Sequence, residues 1–470
     1  MRSLREECGV VGIFGDSDAA NLAYLGLHAL QHRGQEAFGI VSSSSKGGFS
    51  SFKNFGLVSD GINREKLDSL QGSCSIGHVR YSTFGGKNKT ENIQPFVFKT
   101  HDGSFALCHN GNLTNADEIK LRLEREGSIF HSSSDTEVFM HLLAKTSNGD
   151  LVSRLSQVMG QVKGAYSLLV LAHDRLIGLR DPFGFRPLVL GKKAGSYLLC
   201  SETCALDLIE AEYVRDVRPG EIIEISESGI RERQTHLPAK ESFCSFESIY
   251  FARPDSRIDG QDVYTIRKRI GGLLAQEAPV SADVCIAIPD SGVAMALGYA
   301  ESSGLPYEVG LVRNHYIGRT FIEPSQAIRD FGVKLKLNPL RSVLQGKRVV
   351  VIDDSIVRGT TSIKIVRMLR QAGAAEVHMR IGSPPITHSC YFGVDTPDRK
   401  DLVAAQKSVL EIKQLLGADS LAFLSVEGLR TALNSHNRGC FGCFTGNYPE
   451  EICRKIEKQP TDGAGPGLRA

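Results

Sequence analysis

Two adjacent acids, Asp353 and Asp354, follow the β-branched run Val349, Val350, Val351 and Ile352 and precede a small turn, Ser355-Ile356-Val357-Arg358-Gly359-Thr360-Thr361-Ser362. Four β-branched residues in succession predict a buried parallel strand. After the turn, apolar residues recur at helical spacing as far as Leu369. The pattern is strand, loop, helix, with the loop at the carboxyl edge of a sheet, where α/β folds bind ligands. Backbone N–H groups at the helix start suit an anion such as phosphate, and the hydroxyls of Ser355, Thr360, Thr361 and Ser362 add donors. Two carboxylates are poor neighbours for that anion. They are expected to face sugar hydroxyls or a hydrated Mg²⁺ instead. An ordinary strand-to-helix turn would need neither the paired acids nor the hydroxyls.

The chain around this loop has 470 residues, a length that suggests about three units. Lys plus Arg, 55, nearly balance Asp plus Glu, 53, so no global field points to nucleic acid or an anionic membrane. No apolar run approaches the roughly 18 residues that a membrane span needs. Residues 1–7 are charged and lack an apolar core, which fits neither a signal peptide nor a full transit peptide. The 11 cysteines are an odd number without a small-domain disulfide pattern, so catalysis, metal ligation and burial are the better readings.

To about residue 240 the chain reads as β-rich with short helices. Strands are expected at Cys8–Phe14, Ser75–Arg80, Phe105–Cys108, Ser167–Ala172 and Ser196–Leu199, with helices at Ala20–Gln31 and Asp135–Lys145. The serine- and glycine-rich stretch 42–48 reads as a hairpin connection. Beyond about 260 the pattern alternates as in a parallel sheet: helix 263–277, strand 284–288, helix 293–303, strand 349–353, helix 361–372 and strand 376–381. Residues 254–261 are the best boundary. Residues 313–338 are polar and longer than a connection normally requires, as lids are.

In the first half, Cys8 opens a strand, and Leu30-Gln31-His32-Arg33-Gly34-Gln35-Glu36, Gly77-His78-Val79-Arg80-Tyr81-Ser82-Thr83, His109-Asn110-Gly111-Asn112 and Ser134-Asp135-Thr136-Glu137 follow. This set, in this order and spacing, resembles the glutaminase domain of the N-terminal-nucleophile amidotransferases. The resemblance implies Cys8 as nucleophile, freed by removal of a propeptide at 1–7. The new α-amine, with an ordinary pKa of about 8, would then be the base beside the thiol. By the same resemblance Asn110 and Gly111 form the oxyanion hole, and Arg80 takes the carboxylate of glutamine. Asp135 takes its ammonium, with Thr83 nearby. Arg33 either gates the pocket or sits in a surface ion pair.

The loop at 349–362 resembles the phosphoribosyl diphosphate (PRPP) loop of type I phosphoribosyltransferases. That resemblance extends to Ile286-Ala287-Ile288-Pro289-Asp290-Ser291-Gly292, where the family binds pyrophosphate. It implies Mg²⁺ held by Asp353, Asp354 and Ser291. PRPP would be bound by Asp353, Asp354, Ser355, Arg358, Gly359, Thr360, Thr361 and Ser362, with Arg313 and Arg319 on the pyrophosphate from a closing loop. Cys440-Phe441-Gly442-Cys443 reads as a zinc half-site, a redox pair or part of an iron–sulfur site, and spacing leaves all three open. Together with Cys244 and Cys390 it matches the cluster-bearing branch of the glutamine–PRPP amidotransferases, which implies a [4Fe–4S] cluster of structural role.

The implied fold class is an α+β N-terminal-nucleophile hydrolase sandwich (αββα) over 8–240. An α/β type I phosphoribosyltransferase domain with a parallel sheet follows over 260–410, then a helical, cluster-binding region and tail over 411–470. The implied function is to release ammonia from glutamine at Cys8 and use it to displace pyrophosphate from PRPP, the first step of purine synthesis. Tyr250 and Arg253 are candidates to line an ammonia channel, or to pack at the domain junction. The family further implies purine nucleotide inhibitors and a homotetramer. The charge balance and the lack of a long apolar run lead us to expect no nucleic-acid or membrane partner, and the expected location is cytoplasmic, or a plastid if a transit peptide has been removed. Two alternatives are a PRPP-binding regulator and another glutamine amidotransferase. The first would need a DNA-binding module, and the second would lack the PRPP loop.

Overall fold

The computed structural model describes residues 8–43, 48–81, 90–100, 103–235, 237, 240–314, 337–435 and 438–452. The expected propeptide, Thr83, Arg319, Cys453 and most of the 313–338 loop lie outside the described residues.

Residues 9–234 form two antiparallel sheets, one of seven strands and one of six. At the centre of the first, the strand Gly9–Phe14 pairs with Cys74–Arg80 on one side and Ser196–Cys200 on the other. In the second, Gly103–Leu113 lies between Phe96–Thr100 and Gly164–Leu171. Alternation along each strand decides the layers, because successive side chains point to opposite faces. Val10 joins Ala106, Cys108, Leu169 and Ile223 in the core between the sheets. Val11 and Ile13 instead face the helices Ala19–Ala29 and Thr203–Ile209. On the far side, Leu107 and Leu168 pack under the helices Ala116–Arg125, Thr136–Lys145 and Leu151–Met159. The result is helix, sheet, sheet, helix, as expected. Ser42 and Ser43 pair with Ser50 and Phe49, which makes the expected hairpin.

The second unit is a four-stranded parallel sheet in the order Val284–Ala287, Arg348–Asp353, Glu376–Ile381, Ser420–Phe423. Val350 and Ile352 face the helices Val263–Glu277 and Val293–Ser303. Val349 and Val351 face Thr360–Gln371 and Val409–Leu416. Both faces are covered, which is why the strand reads as continuous rather than alternating apolar sequence. The first two helices touch backbone to backbone: a methyl group on Gly298 would lie 2.0 Å from the Lys268 carbonyl oxygen. The strand Ser420–Phe423 lies beyond the expected domain limit at 410, so the sheet draws on the region read as helical. Phe243–Cys244 pairs in parallel with Gly439–Cys440 and ties the inter-domain segment to the C-terminal region.

Candidate active sites

Cys8 sits at the start of the Gly9–Phe14 strand, half-buried, where its Sγ meets the backbone of Tyr81. The thiol approaches the Tyr81 carbonyl at 3.5 Å, and the Tyr81 N–H approaches the sulfur at 3.5 Å. Burial pushes the Cys8 thiol up to about 11, so at neutral pH it is a thiol and needs a base to become a nucleophile. Across the sandwich, His78 and the His109 carbonyl meet at 3.1 Å and link the two sheets beside this end of the strand. Burial lowers the His78 imidazole to about 3, so the ring is neutral.

Asn110 and Gly111 follow on the Gly103–Leu113 strand. Asn110 is 0 % exposed, yet neither atom of its side-chain amide has a hydrogen-bond partner among the described residues. A methyl on Gly111 would lie 2.0 Å from the Ala165 oxygen, so only glycine fits there. Asp135 precedes the Thr136–Lys145 helix and is buried, its side chain making no cap bond to that helix, with one carboxylate oxygen accepting from the Leu113 N–H at 2.9 Å. Its other oxygen lies 3.8 Å from His109. Arg80 ends the strand that pairs with Cys8's strand and is buried.

Arg33 is neither at the surface nor open to a ligand. At 1 % exposure it lies behind Cys8, with Nε donating to the Cys8 carbonyl at 3.2 Å. Its two terminal nitrogens are held by Glu202 at 2.5 Å and Glu247 at 2.7 Å. The two carboxylates raise the guanidinium against the opposing effect of burial. Neither acid was singled out from the sequence. Glu202 also accepts from the Arg253 N–H at 3.0 Å and from Ser256 at 2.7 Å. Arg253 thus anchors through its backbone, with its side chain paired to Asp255.

In the second unit, Asp353 and Asp354 end the central strand and are buried. Ser291 and Ser355 both donate to Asp354, and the Asp354 N–H donates to Asp353 at 3.0 Å. Burial raises both carboxyls, and repulsion from Asp354 raises Asp353 further. A methyl on Gly292 would lie 2.6 Å from the Ile352 oxygen, so the loop bearing Ser291 is pressed against the strand end. Gly359, at φ +76°, turns the chain into the helix, whose first residues are Thr360, Thr361 and Ser362. Arg313 pairs with Asp290, and Arg358 lies 3.6 Å from Asp401. Arg267, which the sequence did not mark, is buried behind this loop. It donates to the Ser248 and Ala252 carbonyls at 2.9 and 2.8 Å and counters the charge of Asp354.

Cys244, Cys390, Cys440 and Cys443 line one apolar pocket, walled by Phe185, Phe246, Phe392 and Tyr448 among others. The Phe392 N–H lies 3.3 Å from the Cys390 sulfur. Among the described residues, no three His, Cys, Asp or Glu side chains converge as a site for a single ion. Thiolates around one tetrahedral zinc must come within roughly 4 Å of one another. A four-iron cluster binds each thiolate to a different iron and needs them farther apart. The four thiols and the apolar lining fit that larger group. Cys74, Cys108, Cys200, Cys204 and Cys285 are buried.

A family model described as a glutamine amidotransferase domain matches residues 78–208. The chain is 54 % identical to amidophosphoribosyltransferase 1, chloroplastic, of Arabidopsis thaliana, covering 95 % of this chain and 79 % of that one. It is 48 % identical to the amidophosphoribosyltransferase of Bacillus subtilis, covering 96 % of each. The solved structure of the B. subtilis glutamine PRPP amidotransferase, complexed with ADP and GMP, superposes with a TM-score of 0.91 at 47 % identity, covering 95 % of this chain and 98 % of that one. The fold is therefore that of an N-terminal-nucleophile amidotransferase sandwich joined to a phosphoribosyltransferase domain. With this identity sustained over nearly its whole length, the chain belongs to the amidophosphoribosyltransferase family.

Proposed function

We propose that this chain makes 5-phosphoribosylamine in two steps at two sites. In the first, the α-amine of Cys8, once residues 1–7 are removed, takes the thiol proton, and the sulfur attacks the side-chain amide carbon of glutamine. Asn110 and the Gly111 N–H stabilise the oxyanion, the C–N bond breaks, and ammonia leaves with the returned proton. Water then clears the glutamyl thioester to glutamate. Arg80, Asp135 and Thr83 hold the amino-acid end of glutamine, and Arg33 positions Cys8 from behind.

In the second step, ammonia attacks C1 of PRPP and the bond from C1 to the pyrophosphate oxygen breaks. The helix start at Thr360, Thr361 and Ser362, with Ser355, Arg358 and Gly359, cradles the 5-phosphate. Asp353 and Asp354 orient the ribose, and Arg313 and Arg319 face the pyrophosphate. Mg²⁺, with Asp353, Asp354 and Ser291 nearest it, would supply positive charge for the leaving pyrophosphate. Two buried carboxyls raised by burial are suited to such a cation. The four pocket cysteines would hold a [4Fe–4S] cluster that ties three chain segments together, with no electron transfer in either step. Purine nucleotides are proposed as inhibitors, since the B. subtilis relative was solved with ADP and GMP.

The observation that carries this reading is the Asn110 side chain, fully buried with no hydrogen-bond partner among the described residues. Such a group is costly unless a ligand completes it, and a developing oxyanion would do so. Pyrophosphate release from PRPP, with glutamine or ammonium chloride as nitrogen source, tests the reading. Release with neither would refute it.

A further inference from the structure

The segment Cys390–Gly393, which begins with a pocket cysteine, lies against the amide-cleaving apparatus at two points. At the first, Gly393 packs under the strand that carries the oxyanion-hole residues. A methyl on Gly393 would come 3.3 Å from the Gly111 carbonyl carbon and 3.2 Å from Arg186 Nη2. One residue along that strand, Asn112 Nδ2 donates to the Tyr391 carbonyl at 2.8 Å. At the second, the Phe392 carbonyl accepts from Arg186 Nε at 3.0 Å and also from Nη2. Arg186 Nη1 donates to Glu247 at 3.2 Å, Glu247 grips Arg33 at 2.7 and 3.0 Å, and Arg33 donates to the Cys8 carbonyl at 3.2 Å.

Arg33, Arg186 and Glu247 are each no more than 1 % exposed. Buried, close-packed contacts of this kind transmit a displacement instead of absorbing it. Both ends of the chemistry, the nucleophile and the oxyanion donors, therefore rest on one four-residue segment more than 270 residues away in sequence from either.

We propose that Cys390–Gly393 is a positioning element for glutamine hydrolysis. It sets Gly111 by direct contact, and it sets Cys8 through Arg186, Glu247 and Arg33. This rests on the function proposed above. Oxyanion donors act only when they lie within hydrogen-bond reach of where the charge develops, so a small shift of Gly111 slows the chemical step without loosening glutamine itself. Asp353 and Asp354 stand outside this chain of contacts, so the use of free ammonia is spared.

The test uses full-length wild type, Gly393→Ala and Asn112→Ala. Pyrophosphate release is measured with glutamine and with ammonium chloride, together with KM for glutamine and the melting temperature. Both variants are expected to lose about tenfold or more in glutamine-dependent kcat. KM is expected to stay within about threefold, and ammonia-dependent release within about twofold. Asn112→Ala removes one hydrogen bond from a partly exposed side chain, so it carries the test if Gly393→Ala does not fold. Equal loss of both activities with a lowered melting temperature would mean that the segment only holds the domains together, and unchanged glutamine kcat would equally overturn the proposal. Wild type that releases no pyrophosphate with either nitrogen source would instead sink the functional reading beneath it.

Discussion

Arg33 Nε donates to the Cys8 carbonyl at 3.2 Å, while Glu202 and Glu247 hold the other end of the same guanidinium. Two buried acids, Glu202 and Glu247, balance two buried bases, Arg33 and Arg186, with His32 as an outer partner of Glu202. Burial works against the charge of Glu202, but His32 and Arg33 outweigh it and hold the carboxyl well below its usual range. Truncating one member of such a set strands the others, at a cost of about 3–5 kcal/mol. Glu202→Ala is therefore expected to lower the urea midpoint by that equivalent. A loss under about 1 kcal/mol would contradict the assignment of this cluster as tightly coupled.

On the proposed reading Asp353 and Asp354 serve the acceptor site alone. Asp354→Asn is expected to reduce pyrophosphate release about 100-fold or more with either nitrogen source, while glutamine hydrolysis to glutamate continues. Steady-state assays of the two half-reactions on one preparation decide this. A variant impaired only with glutamine would move Asp354 out of the acceptor site.

Glu450 contributes a dependence of stability on pH. Burial, with Asp181 nearby, pushes its carboxyl up from 4.5 to about 7, while Thr114 donates to it at 3.3 Å. The folded state thus binds the proton more tightly than the unfolded one. The stabilising contribution is complete below the unfolded value and is lost as pH rises through about 7. Between pH 5 and pH 8, Glu450→Gln should lose less melting temperature than wild type. Parallel curves would show that Glu450 does not titrate in this window.

How much of this was legible follows from how local each signal is. The strand at 348–353, its acids and the following helix start within a few residues of one another, and periodicity alone places them. The same holds for Gly9–Phe14 and for the helix Thr136–Lys145. The strand Ser420–Phe423 escaped because it is four residues long and only half-buried, and an apolar run as short as Leu421-Ala422-Phe423-Leu424 does not tell strand from helix. Arginines are mostly exposed, so nothing near Arg33 betrays its burial. Its partners lie 169 and 214 residues away. Glu247 had a faint signal in its apolar neighbours Phe246 and Ile249, which predict a buried acid and hence a buried base somewhere.

The cysteine pocket predicts a composition. Protein purified without oxygen is expected to carry about four irons per chain with a broad absorption near 400 nm. Cys443→Ser should lose both the iron and the colour. Zinc at one atom per chain in the wild type would overturn the four-iron assignment.

The central claim is that ammonia is made at Cys8 and consumed at Asp353 and Asp354. It is tested most directly by pyrophosphate release from PRPP in Cys8→Ala, supplied first with glutamine and then with ammonium chloride. The account predicts loss of the glutamine-dependent rate by at least about 1,000-fold, with the ammonia-dependent rate within about twofold of wild type. A folded variant that lost both rates, or kept the glutamine-dependent one, would contradict it.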